Sequence, residues 1–148
     1  MNLRTITDES KLKTSELLAE CKKLFPVYSY LNDKELDEQF PAPKKPTTHQ
    51  FRDVQEADEK WKNVSADDLD KKGIKGITLR ERLLFELAYF KETGTHLDIV
   101  NWTLCTGSRY SDGRVPRVSW CGDELGVRWW GPAGARDHLR VREQISLK

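Results

Sequence analysis

RVSWCGDELGVRWW, residues 117–130, alternates with a period of two on both sides of a central Gly-Asp-Glu. Val118, Trp120, Leu125, Val127 and Trp129 fall on one set of faces, and Arg117, Ser119, Cys121, Gly126, Arg128 and Trp130 on the other. Successive side chains of a strand point to opposite faces, so the pattern predicts a β-hairpin that buries an apolar face and presents a mixed one. Downstream, GPAGARDH (131–138) has no period and reads as a loop. LRVREQISL (139–147) reads as a last strand or a fraying turn.

Upstream the period becomes 3.6. In TLRERLLFELAYFKETG (78–94), Thr78 and Glu81 make a capping box, and Leu79, Leu83, Leu84, Leu87 and Ala88 an apolar stripe. Gly94 supplies a left-handed stop, which predicts a core helix of about four turns. SELLAECKKLF (15–25) predicts a second helix with Ser15 as its cap, ended by Pro26. VYSYL (27–31) fits a short strand, and Asp33 to Phe40 a short acidic helix. PAPKKPTT (41–48) is a loop or linker, because each Pro removes a donor and pushes its predecessor toward extended structure. FRDVQEADEKWKNV (51–64) fits a helix with Val54, Ala57 and Trp61 at i, i+3 and i+7. Ser65 to Leu69 starts a further short turn, and KKGIKG (71–76) is loop. The expected class is α+β, one domain over 1–148. Its N-terminal helical and loop part is 1–76, the core helix and first strands 77–108, and the C-terminal antiparallel β-hairpin region 109–148.

Charge is balanced overall and uneven along the chain. The 148 residues hold 25 Lys+Arg against 24 Asp+Glu, and a net +1 gives no global attraction to nucleic acid or membrane. Residues 1–98 are net −2 and residues 99–148 net +3. No Lys occurs between Lys91 and Lys148, while seven of eleven Arg lie between Arg109 and Arg142. No apolar run approaches the ~18 residues of a membrane span, and the polar MNLRTITDES start does not read as a signal peptide. Three cysteines without CxxC spacing read as reduced thiols, and the sequons at Asn63 and Asn101 as chance. His96, Cys105, Cys121 and His138, with 8, 15 and 16 residues between them, match no compact zinc-ligand pair. No metal or other cofactor is expected.

Ordinary solvated strand faces use Lys, Glu, Thr and Gln; this one shows Arg, Ser, Cys, Gly and Trp. Three readings compete. It is an unremarked surface of a small sheet; or a nucleic-acid surface in which Arg117, Arg128, Arg136, Arg140, Arg142 and Trp130 contact phosphates and stack on bases; or a protein-recognition surface anchored by Arg and Trp. The second lacks an RNP or zinc-finger pattern and is diluted by Asp112, Asp123, Glu124, Asp137 and Glu143.

LRERLLFELAYFKETGTHLD, NWTLCTGSRYSDGRVPRVSW, LGVRWWGP and LRVRE, together covering much of residues 77–145, resemble the variable proteins of diversity-generating retroelements. The resemblance is to those of archaeal and uncultivated-microbe lineages, and the run from Gly107 to Trp120 is its most specific part. It implies a C-type lectin fold of the formylglycine-generating-enzyme type. It also implies a C-terminal region, 109–148, in which an error-prone reverse transcriptase rewrites chosen codons by adenine-directed mutation while fixed positions hold the scaffold. The rewritten positions would form a ligand-binding surface: Arg114, Arg117, Ser119, Cys121, Gly122, Asp123, Gly126, Arg128, Trp130, Ala133, Ala135, Arg136, Asp137 and His138. The ligand is expected to be a protein, without specific nucleic-acid binding, and the chain a monomer, cytoplasmic or displayed on a virion or cell-surface assembly.

The genetic code bears on this. Adenine replacement in an AAC or AAT codon reaches Arg, Gly, Ser, Cys, Asp, Ala and His, and cannot reach Lys, Glu, Gln, Met or Trp. The outward and loop positions, Gly131 and Gly134 included, belong to the reachable set, and the absence of Lys follows. Trp130 and Glu124 do not fit that codon and are either fixed or templated differently. The E-P-N or Q-P-D loop and W-N-D strand of calcium-dependent sugar binding are absent. The enzyme branch of the fold uses a thiol pair, but Cys121 stands at an expected variable position and Cys105 reads as a small packed hydrophobe, so no catalysis is expected.

Overall fold

The computed structural model describes residues 2–146. Its centre is the predicted hairpin: strands β5 (Val115–Cys121) and β6 (Glu124–Trp130) pair antiparallel from Val115↔Trp130 to Cys121↔Glu124. Gly122 opens the two-residue turn at φ 68°, the positive φ that a primed hairpin turn requires at its first position. The neighbours follow from short apolar segments at distant positions. β2 (Val27–Ser29) lies parallel to β6, β4 (Trp102–Leu104) antiparallel to β5, and β7 (Leu139–Val141) parallel to β4. The five-stranded mixed sheet therefore has the order β2-β6-β5-β4-β7. A separate two-stranded antiparallel sheet joins β1 (Leu3–Asp8) to β3 (Thr47–Arg52).

Four α-helices complete the α+β architecture: α1 (Thr14–Leu24), α2 (Asp33–Gln39), α3 (Ala66–Lys71) and α4 (Leu79–Thr93). In α4, Thr78 accepts from the Glu81 N–H and Glu81 accepts from the Thr78 N–H, each at 3.0 Å, and Gly94 closes the helix at φ 75°. α1 and α4 cover the inner face of the five-stranded sheet. Leu17, Leu18 and Cys21 meet Leu79, Leu83 and Phe85 there, with Val118, Leu125 and Val127 contributed by the hairpin. Each such side chain is worth about 1.5–3 kcal/mol when fully buried. Trp120 and Trp129 are half-buried against the same cluster, inward as the alternation requires.

The outer face is not uniformly open. Leu104, Val115 and Leu139 form a second apolar cluster with Ala66 at the start of α3, flanked by Trp102 and Trp130. The sheet is thus buried on both sides along β4, β7 and the first half of β5. The hairpin from Arg117 to Trp130, with Trp102 at its margin, and β2 keep an accessible outer surface.

Several local expectations are corrected. Residues 51–64 are not a helix. Phe51 and Arg52 end β3, Val54 is exposed, and a single 3₁₀ turn spans Glu59–Trp61. The apparent helical spacing of Val54, Ala57 and Trp61 is coincidental. α1 is capped at Lys13, whose N–H donates to Glu16 at 2.8 Å, while Ser15 donates instead to Asp37. β1 has no counterpart in the sequence reading. The Pro-rich stretch is a loop only to Pro46, and Thr47 already belongs to β3.

α4 departs furthest from its apolar stripe. Arg80, Glu81, Arg82 and Glu86 are buried along with Leu79, Leu83 and Phe85, whereas Leu84, Leu87 and Ala88 are only half-buried. The charged residues are mutually satisfied. Asp98 accepts from Arg82 Nε (3.2 Å), Arg142 Nη2 (3.0 Å) and the Ala57 N–H (2.8 Å), and Glu86 accepts from Arg82 Nη1 (2.9 Å). Burial alone would pull the Arg82 pKa down, but Asp98 and Glu86 outweigh it and hold it above the ordinary value. Arg80 pairs with Asp8 at 2.7 and 2.9 Å, tying β1 to α4.

Candidate functional site

The turn end of the hairpin carries small and short residues, Ser119, Cys121, Gly122 and Gly126, and above them two long cations. Arg117 and Arg128 stand directly opposite in the β5–β6 register. Each lies over an aromatic pair from the adjoining strand or its flank. The Arg128 guanidinium sits 4.7 Å from the Tyr28 ring centroid and 5.2 Å from that of Tyr30. Arg117 sits 4.4 Å from Trp102 and 5.5 Å from Trp130. Arg136 approaches the Trp130 ring to 5.6 Å. At the far end of the strands Arg114 lies 4.7 Å from Trp129 and 5.1 Å from Tyr110, and pairs with Asp112 at 2.8 Å. Such stacking holds a guanidinium by its face and leaves its in-plane N–H groups available.

The geometry divides the expected contact residues. Arg117, Cys121, Arg128 and Trp130 are half-exposed and share one surface, with Gly122 and Asp123 exposed at the turn. Ser119 and Gly126 face the same way but are buried. Ser119 is 3% exposed, its hydroxyl 3.1 Å from the Cys121 thiol, and Gly126 lies beneath Arg128, whose Nε would sit 3.3 Å from a Cβ there. They form the floor of the surface and present no side chain to a ligand. Arg114 belongs to a separate cluster on the Trp129 side. In the 131–138 loop Ala133, Arg136, Asp137 and His138 are exposed and Ala135 half-exposed. That loop is tethered: Asp67 N–H donates to Pro132 O (3.0 Å), Asn63 N–H to Arg136 O (3.1 Å) and Trp130 Nε1 to Gly134 O (2.9 Å). Gly134 also admits the Trp130 ring at 2.9 Å from where a Cβ would stand, so close packing fixes its identity.

Of the arginines weighed for phosphate contacts, Arg142 is removed from that role by burial. Arg142 is 1% exposed and donates to Asp98, Thr103 and the carbonyls of Val54 and Gln55. Arg140 is half-buried and donates to Ala57 O. Conversely, Tyr28, Tyr30 and Trp102 belong to the surface and were not among the expected contacts. Alternation in VYSYL does set Tyr28 and Tyr30 apart from Val27, but nothing local announces that β2 inserts beside β6.

The thiols divide likewise. Burial pushes Cys21 and Cys105 up to about 12, which leaves them inert as nucleophiles at neutral pH. Cys121 is half-exposed. His96, stacked on Trp120 at 3.5 Å between centroids, has Nδ1 2.9 Å from the Glu86 carboxylate, and His138 is exposed just before β7. Away from the hairpin, a cavity of about 270 Å³ beside the α4 N-terminus is lined by His49, Arg80, Glu81 and Ser108, and His49 Nδ1 lies 2.6 Å from Glu81. The sequence reading passed over it. Among the described residues no helix is long and apolar enough to cross a membrane.

The fold and surface define a mixed α+β protein that displays stacked arginines from a rigid hairpin. Comparison with protein-family models, curated proteins and solved structures finds no match.

Proposed function

We propose that this chain is a ligand-binding protein without catalytic activity, a variable protein of a diversity-generating retroelement built on a C-type lectin fold of the formylglycine-generating-enzyme type. The observation that carries the reading is the division of labour along one hairpin. Val118, Leu125 and Val127 are buried and fix the backbone, while Arg117, Cys121, Arg128 and the turn residues between them face out from the same two strands. Helices α1 and α4 against one face of a mixed sheet, with the hairpin at its centre, are compatible with the implied fold. A surface so constructed can change its outward residues without altering the scaffold. The ligand is best taken as a protein, because the surface is broad, aromatic and cationic only at discrete points.

The test lies in the flanking DNA. The reading expects a near-copy of the 3′ coding end, differing from it only where the copy has adenine, beside a reverse-transcriptase gene. The mismatches should fall on codons for outward residues such as Arg117, Cys121 and Arg128, and should spare those for Val118, Leu125 and Val127. A flanking region without such a repeat removes the retroelement and leaves a binding domain alone.

A further inference from the structure

Most of the charged side chains that pack into this molecule have a partner of opposite charge, and two at the hairpin do not. Arg4, Arg52, Arg80, Arg82, Arg109 and Arg142 are each ion-paired. Among the described residues Arg117 and Arg128 have no ion pair, although they stand opposite one another on adjacent strands. Like charges in directly opposed positions destabilise a sheet. Burial, then the charge of Arg128, holds the Arg117 guanidinium below its ordinary pKa.

The arrangement keeps both cations in place and unneutralised. Each has one face on aromatic rings, which fixes its direction without using its donors. Arg117 spends only Nε, on the Trp129 carbonyl at 3.0 Å. Arg128 has only the Tyr30 hydroxyl and the Cys121 thiol as polar neighbours, and no carboxylate. The two lean away from each other, Arg128 over β2 and Arg117 over β4, and leave between them the low floor of Ser119 and Gly126. Tyr28 and Tyr30, 42% and 49% exposed, stand at one wall with their rings 5.5 Å apart.

Resting on the ligand-binding reading above, we propose that this surface takes an acidic protein segment, whose carboxylates pair with Arg117 and Arg128 while its apolar side chains lie on Tyr28 and Tyr30. A planar guanidinium with free in-plane donors suits a carboxylate bidentately. A nucleic-acid backbone fits less well. Its charges repeat continuously, and Asp123 and Glu124 at the turn and Asp137 in the adjacent loop would meet any strand running past the two arginines. A protein segment with two placed carboxylates avoids them.

The experiment selects random twelve-residue peptides displayed on phage against the full chain at 150 mM salt. A parallel selection uses the Arg117→Gln/Arg128→Gln double variant, with its melting transition checked against the parent. The expected result is that peptides captured by the parent carry Asp and Glu at least twice as often as the starting library, and that the enrichment disappears on the double variant. Arg128→Lys, which keeps the charge and loses the planar fork, should bind the selected peptides several-fold more weakly than the parent.

Peptides that depend on the two arginines but are not acidic would overturn the acidic partner and leave the recognition surface standing. Capture of acidic peptides equally by the double variant, or of none by the parent, would overturn both. An oligothymidylate of twelve nucleotides that binds the parent as tightly as the best peptide would assign the surface to nucleic acid instead.

Discussion

Asp98 concentrates the demands made on a single residue of this chain. It adopts φ 54°, in the left-handed region that only Gly, Asn and Asp enter readily, and is fully buried. From that position its carboxylate accepts from two arginines, a backbone N–H and the Thr103 hydroxyl, while its own carbonyl accepts from Trp120 N–H at 3.0 Å. Asp98→Asn preserves the backbone preference and removes the charge, so it isolates the electrostatic part. It leaves Arg142 buried without a carboxylate and Arg82 with Glu86 alone, and should cost about 3–5 kcal/mol in denaturant titration. Arg128→Gln, by contrast, removes a half-exposed cation and should stay within about 0.5 kcal/mol of the parent. The sequence does not distinguish these arginines. Arg128 and Arg142 are the same residue type on nearby strand-like segments, and their opposite fates depend on where Asp98 sits, a contact made across tens of residues. Trp120 and Trp129, whose inward placement follows from local alternation alone, could be read directly.

Among the elements, those specified by neighbours in sequence were legible and those specified by distant partners were not. The hairpin has a two-residue period and a turn that carries its own backbone requirement. α4 has a capping box and a terminal Gly. β1 and β3 have weak alternation and are strands because they pair with each other, over separations that a local reading does not span. The buried flank of α4 was misassigned for a related reason: helical periodicity assigns Arg80 and Arg82 to solvent unless an acid waits opposite. Asp8 is that acid for Arg80. Burial works to raise the Asp8 pKa, and the hydrogen bonds from Arg80 and the Ser10 N–H overcome it, so the carboxyl titrates below its ordinary 3.8. Its folded pKa lies under its unfolded one, so its contribution is present above about pH 4 and is lost as pH falls through the lowered value. The melting-temperature gap between the parent and Asp8→Asn should therefore stay constant from pH 7 to about pH 4 and narrow below it. A gap that widens on acidification would reverse the assignment.

At the scale of the molecule, the sheet is enclosed on its inner face throughout and on its outer face over only part of its width. That division is invisible in the hairpin sequence, and so is a second, local cover at the open end: Ser119 and Gly126 alternate outward and are nevertheless buried beneath Cys121 and Arg128. The same enclosure makes the cysteines reporters of the whole fold. Cys21 and Cys105 are fully buried with pKa values pushed up to about 12, and Cys121 is half-exposed. Under native conditions one thiol per chain should react with a chromogenic disulfide reagent. The other two should follow only with denaturant, at a midpoint matching that of tryptophan fluorescence. Early reaction of a second thiol would show that the inner core, which holds both Cys21 and Cys105, opens locally.

The buried charge network also has a temporal side. Arg142 reaches back 88 residues to Val54, 87 to Gln55 and 44 to Asp98. A nascent chain still lacking Arg142 has Asp98 without one of its two arginine partners and β4 without the strand beside it. Such a chain can form α4 and the hairpin early, since their contacts are local, but not the closed core. Closure of the core therefore waits until β7 and Arg142 are free of the ribosome. Molecules truncated ahead of β7 and Arg142 should go to degradation instead of persisting as folded scaffolds with a missing edge.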